Sequence, residues 1–373
     1  MVPNLRFNGY TENWQKYRTI ELGQMQRGKS KHRPRDDEKL YGGAYPFIQT
    51  GDIKKANLYI KEYERTYSNY GLSQSKLWSK GTLCITIAAN IAETAILGLN
   101  ACFPDSVIGW ISNEKITNNI FIKYYFDFYK TQLKRLSVGG AQENLNLDKL
   151  ENVYFHIPTL PEQNDITNLL TKIDELIETQ IKIIDDYNSL KMGIYNCMFK
   201  ENYADYKLKQ LAYIVKGDQI NNDQLLSNGS YYMMNGGASP SGYLDSYNVS
   251  ENTISISEGG NSCGYVQFNS SPFWSGGHCY TIQNVNSALI ENKYLYHYLK
   301  YKEKEIMNLR IGTGLPNIQK KDLENFTILV PSLLIQRKNL ALFEMLDEKI
   351  SILNEELANL QKQKKYLLCN MFI

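Results

Sequence analysis

The clearest periodicity in the chain lies at its end. Phe343, Leu346, Ile350, Leu353, Leu357, Leu360, Leu367 and Met371 fall on alternating three- and four-residue steps, with Lys364 filling the one gap. An apolar a/d seam held for about four heptads predicts a long helix that packs against another like it. A second seam runs through Leu170, Ile173, Ile177, Gln180, Ile184, Tyr187, Lys191, Ile194 and Met198. Charged residues occupy the opposite faces, among them Lys172, Glu178, Lys182 and Asp185, and Glu344, Glu355, Glu356 and Lys362. Each helix is expected to run about 38 residues, roughly 57 Å at 1.5 Å per residue. Two such seams in one chain most simply bury each other, as two long antiparallel helices forming an intramolecular coiled coil.

The seams belong to an internal repeat. Residues 139–199 match residues 312–372 without a gap: Gly139 and Asn144 match Gly312 and Asn317, and Leu150-Glu151-Asn152 matches Leu323-Glu324-Asn325. Pro158, Gln163, Asp174-Glu175 and Met198-Phe199 match Pro331, Gln336, Asp347-Glu348 and Met371-Phe372. Each copy opens with a short extended run ending in proline, Val153 to Pro158 and Phe326 to Pro331, which punctuates the approach to the helix. Upstream the halves diverge, apart from a faint echo of Trp14-Gln15-Lys16-Tyr17 in Tyr206-Lys207-Leu208. The expected layout is a head over 1–158, a spacer helix over 159–200, a second head over 201–331 and a second spacer helix over 332–373, with pseudo-twofold internal symmetry.

Within the heads the pattern shortens. Leu83 to Ile87, Thr253 to Ser257 and His278 to Gln283 read as strands, and Ile120 to Leu136 and Lys293 to Leu309 as helices. Glycine pairs at Gly42-Gly43, Gly236-Gly237, Gly259-Gly260 and Gly276-Gly277 mark turns. Two copies of an α/β or α+β head with loop-borne recognition are expected. Two related heads on a rigid spacer suit a bipartite polymer, and duplex DNA with two half-sites is the usual one.

Composition narrows this picture. Lys+Arg is 41 against Asp+Glu 39, so any nucleic-acid contact must come from local patches. Arg27, Lys29, Lys31, Arg33 and Arg35 place a base at every second residue, so an extended segment would line them on one face, suited to a row of phosphates. The competing reading is a solvated loop balanced by Asp36-Asp37-Glu38. Base reading needs side chains with paired donors and acceptors. Loop candidates are Gln49, Thr50 and Lys54 in the first head, and Asn235, Ser239, Ser257, Asn261 and Ser262 in the second; Tyr45, Tyr231 and Tyr243 could pack on sugars or bases.

Catalytic signatures are missing. Gly23 to Ser30 fits GxxxxGK[ST], but the sequel Lys31-His32-Arg33-Pro34 is not a helix start, so a nucleotide site is rejected. There is no [DN]PP[YF], HExxH or GxSxG, and the four histidines (His32, His156, His278, His297) show no metal-site spacing. The six cysteines form no CxxC pair, as in a reducing compartment. The amino-terminal residues carry no signal-peptide core, and the longest apolar stretch, Leu83 to Leu99, holds Asn90 and Glu93 and is too short for a bilayer. A non-catalytic cytoplasmic protein without membrane contact is expected.

These residues carry a family likeness. NLNLDKLENVYFHIPTLPEQ and NIQKKDLENFTILVPSLLIQ, each followed by a long helix, resemble the specificity subunit of type I restriction–modification enzymes. YPFIQTGDI and the run from Asn235 to Asn248 resemble that family's target-recognition domains. The resemblance implies that each head reads one half of a split DNA site, that the helices set the spacer, and that two methyltransferase subunits dock and modify adenine using S-adenosylmethionine. Restriction subunits using ATP and Mg²⁺ would then join, so every cofactor belongs to a partner and none to this chain. One departure stands out: Pro161-Glu162 in the first copy is Leu334-Ile335 in the second. The alternative left open is a coiled-coil adaptor with two protein-binding heads.

Overall fold

The computed structural model describes residues 2–137, 145–199, 203–312, 314 and 316–373. The expected match of Gly139 and Asn144 to the second copy lies outside these. The chain forms two compact units, Met1–Ile183 with Asn354–Ile373, and Ile184–Leu353. Both long helices form as the seams predict, Leu160–Met198 and Leu333–Met371, each 39 residues.

In the first unit, five strands pair in the order Gly23–Arg27, Val107–Ser112, Leu83–Thr86, Thr94–Leu97 and Tyr59–Ile60. All contacts are antiparallel except the last, which is parallel. Leu83 to Thr86 is buried throughout, as its apolar start requires, and the hydroxyl of Thr86 is satisfied by the Asn90 carbonyl. The helix Asn119–Ser137 covers this sheet, bringing Phe121, Tyr124, Tyr125 and Phe126 into a core shared with Trp14, Trp110 and Phe155. The end of the second long helix enters the same core, where the Phe372 ring lies 5.3 Å from that of Phe121 and the Tyr125 hydroxyl donates to the Ile373 carbonyl.

The second unit repeats this order in four strands: Tyr213–Lys216, Cys279–Gln283, Thr253–Ser257 and Val266–Asn269. The registers agree. Arg27 pairs with Ile108, which lies one residue after the Thr86 partner Val107; Lys216 pairs with Tyr280, one residue after the Ser257 partner Cys279. The expected helix over Lys293 to Leu309 instead breaks at Lys302, giving Asn292–Tyr301 and Glu303–Met307. Phe199, the repeat partner of Phe372, closes this core against Tyr294, Tyr298 and Phe343.

The faint amino-terminal echo also has a structural basis, in a shifted register. Gln15–Arg18 pairs antiparallel with Tyr154–Ile157, and Ala204–Lys207 pairs likewise with Thr327–Val330. This aligns Tyr17 with Tyr206, so Trp14 falls before the shared strand.

Every seam residue is buried or half-buried, and the charged residues assigned to the outer faces are exposed. In the first unit, Lys364 Nζ lies 2.6 Å from Asp174 Oδ1 and Gln180 donates to Glu356. In the second, Lys191 pairs with Asp347. Within each unit the helical segments therefore run antiparallel. The two lysines that interrupt the seams are explained by the acids they meet, because a charge in a half-buried seam is tolerated only with a partner. Gln163 and Gln336 likewise play one role twice. Each donates to the carbonyl of the proline before its helix, Pro158 or Pro331, and to a second carbonyl, Ile116 or Leu289.

The departure in the second copy has a physical reason. Glu162 is 1 % exposed and accepts two bonds from the Arg6 guanidinium, at 2.7 and 2.8 Å, and one from Trp14 Nε1. It anchors the segment that precedes the first sheet. In the second copy Leu334 is 80 % exposed and Ile335 partly so, and no equivalent anchor forms there among the described residues.

Candidate nucleic-acid interface

The basic stripe of the first head does not run as one extended strand. Only Arg27 lies in a strand. Gly28 and Lys29 then donate their amides to Val107 and Phe103, Lys31 donates to Gln74, and the chain turns, with the Arg33 guanidinium on the carbonyls of Ser30 and His32. All five basic side chains are nevertheless exposed. Gly28 is required at this bend, since a Cβ would stand 2.3 Å from the Pro104 carbonyl oxygen. The GxxxxGK[ST] match thus falls on a strand and a turn rather than a strand–loop–helix.

The acid that balances the stripe is Asp105, not the run Asp36-Asp37-Glu38. Arg35 Nη2 donates to both Asp105 carboxylate oxygens, at 2.8 and 2.9 Å, and Arg33 stands 3.7 Å away. Asp37 instead caps the turn. The Lys39 amide and the His32 ring hold its carboxyl below the usual carboxylate range.

Three candidates converge beside this pair. Arg35, Gln49 and Thr50 line a cleft of about 280 Å³ together with Arg65, Tyr41 and Ser106. Gln49 and Thr50 do not sit on a loop, as expected from sequence, but begin the helix Thr50–Lys55, whose Asp52 accepts the Gln49 amide at 2.8 Å. Lys54 is exposed on that helix and does not line the cleft. Tyr45 lies on the strand Tyr41–Phe47, opposite Tyr67.

In the second head the candidates separate. Asn235 is fixed, its Oδ1 accepting the His278 amide at 3.0 Å. Ser257 is buried at the end of its strand and donates to the Gly236 carbonyl, so it holds a loop rather than facing a ligand. Ser239, Tyr243 and Asn261 are exposed and Ser262 is half-buried. The Tyr231 ring lies 4.9 Å from that of Tyr247.

Sequence reasoning missed the equivalence of the two sheet ends. Gly217 donates to Cys279 as Gly28 does to Val107; Asp218 donates to Ser275 as Lys29 does to Phe103; Glu258 donates to His278 as Ile87 does to Ser106. A Cβ on Gly217 would also stand 2.3 Å from a carbonyl oxygen, that of Ser275. Lys216 therefore occupies the place of Arg27, and His278 that of Ser106. The signal was present as Arg27-Gly28 and Lys216-Gly217, each a base and an obligatory glycine closing a strand.

The comparisons with known proteins agree with this duplication. Residues 11–185 and 200–362 each match the family described as the type I restriction modification DNA specificity domain. The chain belongs to that family. A type I restriction enzyme specificity subunit of Methanocaldococcus jannaschii is 24 % identical over 96 % of this chain and 92 % of its own length. A supposed type I specificity subunit of Mycoplasma pneumoniae is 34 % identical, but the match spans only 41 % of each chain. The crystal structure of a type I system S subunit from M. genitalium superposes with a TM-score of 0.67 at 19 % identity, over 100 % of this chain and 99 % of that one, which establishes the shared fold. No helix among the described residues of this specificity-family chain is long and apolar enough to cross a membrane.

Proposed function

We propose that this chain is the DNA-reading subunit of a type I restriction–modification complex. Its two heads, residues 1–158 and 201–331, each read one half of a split site on duplex DNA. The helices over 159–200 and 332–373 form the coiled coil that fixes the unread spacer, and they present repeated surfaces to two methyltransferase subunits and, through them, to restriction subunits. S-adenosylmethionine, ATP and Mg²⁺ act in those partners, in the cytoplasm. The observation that carries this reading is the pair of family matches over two sheets of common register, whose equivalent ends bear different side chains. A shared scaffold with divergent loops is what a reader of two unlike half-sites requires.

The phosphate-facing groups would be Arg27, Lys29, Lys31, Arg33 and Arg35, with Gln49 and Thr50 at the cleft nearest the bases. The test is single-molecule methylome sequencing of cells expressing the chain with its methyltransferase partner. A split motif with methyl-adenine in both halves, lost when the chain is deleted, is expected. Methylation that persists unchanged on deletion overturns the proposal.

A further inference from the structure

The second head holds a buried acid with one oxygen that nothing among the described residues satisfies. Glu258 follows the strand Thr253–Ser257 and is 8 % exposed. Its Oε1 accepts from Lys216 Nζ at 2.6 Å and from the Tyr280 hydroxyl at 3.0 Å. Burial and this carboxylate push the Tyr280 phenol well above its ordinary range, so it remains a donor. The other oxygen, Oε2, is buried without a hydrogen-bond partner. His278 Nδ1 stands 3.6 Å from it, beyond hydrogen-bond length but within reach of a small ring rotation.

His278 is built differently from its neighbours. Its backbone is fixed at both ends, the amide by Asn235 Oδ1 and the carbonyl by the Glu258 amide at 2.9 Å. Its side chain is 63 % exposed. The loops beneath are glycine-lined: a Cβ on Gly236 would come within 3.2 Å of the His278 Cβ, and one on Gly276 within 2.7 Å of Asn235 Oδ1. A rigid backbone thus carries one projecting ring, with Nδ1 turned to a carboxylate and Nε2 directed away from it. The counterpart in the first head, Ser106, lines the cleft of Arg35 and Gln49.

We infer that His278 contacts a base edge in the half-site read by the second head, and that Glu258 is its positioning residue. This rests on the proposal that the heads read DNA. A phosphate contact needs charge and tolerates loose orientation, whereas base reading needs a donor or acceptor in a fixed direction. A buried carboxylate aimed at one ring nitrogen supplies that direction, and Lys216 beside it supplies the charge.

The test uses the complex with its methyltransferase partner, carrying His278→Ala, Glu258→Gln or Lys216→Ala. Methylome sequencing is paired with binding to duplexes that hold the wild-type motif or each single-base change in the second half. His278→Ala should relax one position of that half by roughly ten-fold in discrimination and leave the first half unchanged. Glu258→Gln should relax the same position, a change that simple loosening of the fold would not confine to one base. Lys216→Ala should weaken all duplexes and flatten the salt dependence and, because Lys216 also holds Glu258, relax the same position. An unchanged motif with His278→Ala overturns the inference, as does uniform weakening across all sequences. Selectivity intact in Glu258→Gln overturns the positioning role. A wild-type complex that yields no motif would instead sink the DNA-reading proposal itself.

Discussion

Lys191 and Lys364 occupy equivalent seam positions, and the same substitution should have very different effects at the two. The difference lies in the partners. Asp174 is 3 % exposed, bound to Lys364 Nζ and accepting the Tyr124 hydroxyl at 2.7 Å; Asp347 is 39 % exposed. Lys364→Met strands a buried carboxylate with one neutral donor. Breaking a buried pair from one side costs about 3–5 kcal/mol. Lys191→Met leaves a carboxylate that water already reaches, while the thioether fills the seam, so its cost is about zero and its sign can be favourable. For units of this size each kcal/mol moves the melting midpoint by about 2–4 °C, so Lys364→Met should lower the transition of the first unit by roughly 6–20 °C. Calorimetry of the full chain resolves this, read with Lys364→Met/Asp174→Asn, which removes the stranded charge and should recover much of the loss. Equal shifts for the two lysines, or a larger one for Lys191→Met, would refute the burial argument.

Three further outcomes follow from the same geometry. Burial, helped by Lys191 and Lys293, lowers the His297 pKa to about 3. The unfolded chain takes up a proton near pH 6.5 that the folded chain refuses, so the second unit should lose stability as pH falls from about 6.5 towards 3. His297 faces Asp347 as Tyr124 faces its repeat partner Asp174, and His297→Tyr should abolish that slope in urea midpoints measured from pH 7 to 5. Asp105→Asn should release Arg33 and Arg35, tightening binding to all duplexes and steepening its salt dependence, whereas neutralising both arginines should do the reverse; a change confined to one sequence would make them base readers. Inserting one heptad in each long helix should lengthen the unread spacer while both half-sites stay the same, and altered half-sites on methylome mapping would count against the helices as the ruler.

The parts of this molecule legible in sequence are those where one physical demand acts on many residues at once. A seam over four heptads must alternate in threes and fours, so both long helices can be placed nearly to the residue, while the acids that meet the interrupting Lys191 and Lys364 emerge only in the fold. The buried strand Leu83–Thr86 was visible for the same reason. The interface was less legible because its chemistry depends on chain reversals. Bases at every second residue suggest one extended face, but Gly28 is locked under the Pro104 carbonyl and the chain turns, bringing Asp105, seventy residues on from Arg35, to the charge in place of the adjacent acids. Ser257 looked like a loop reader and is a buried brace. His278 looked like an isolated histidine because the residues that orient it, Glu258 and Asn235, reach it from two other loops. Base–glycine pairs at matching strand ends would have located both faces. That signal is positional rather than periodic, and it emerges only when the two sheets are laid over each other by register.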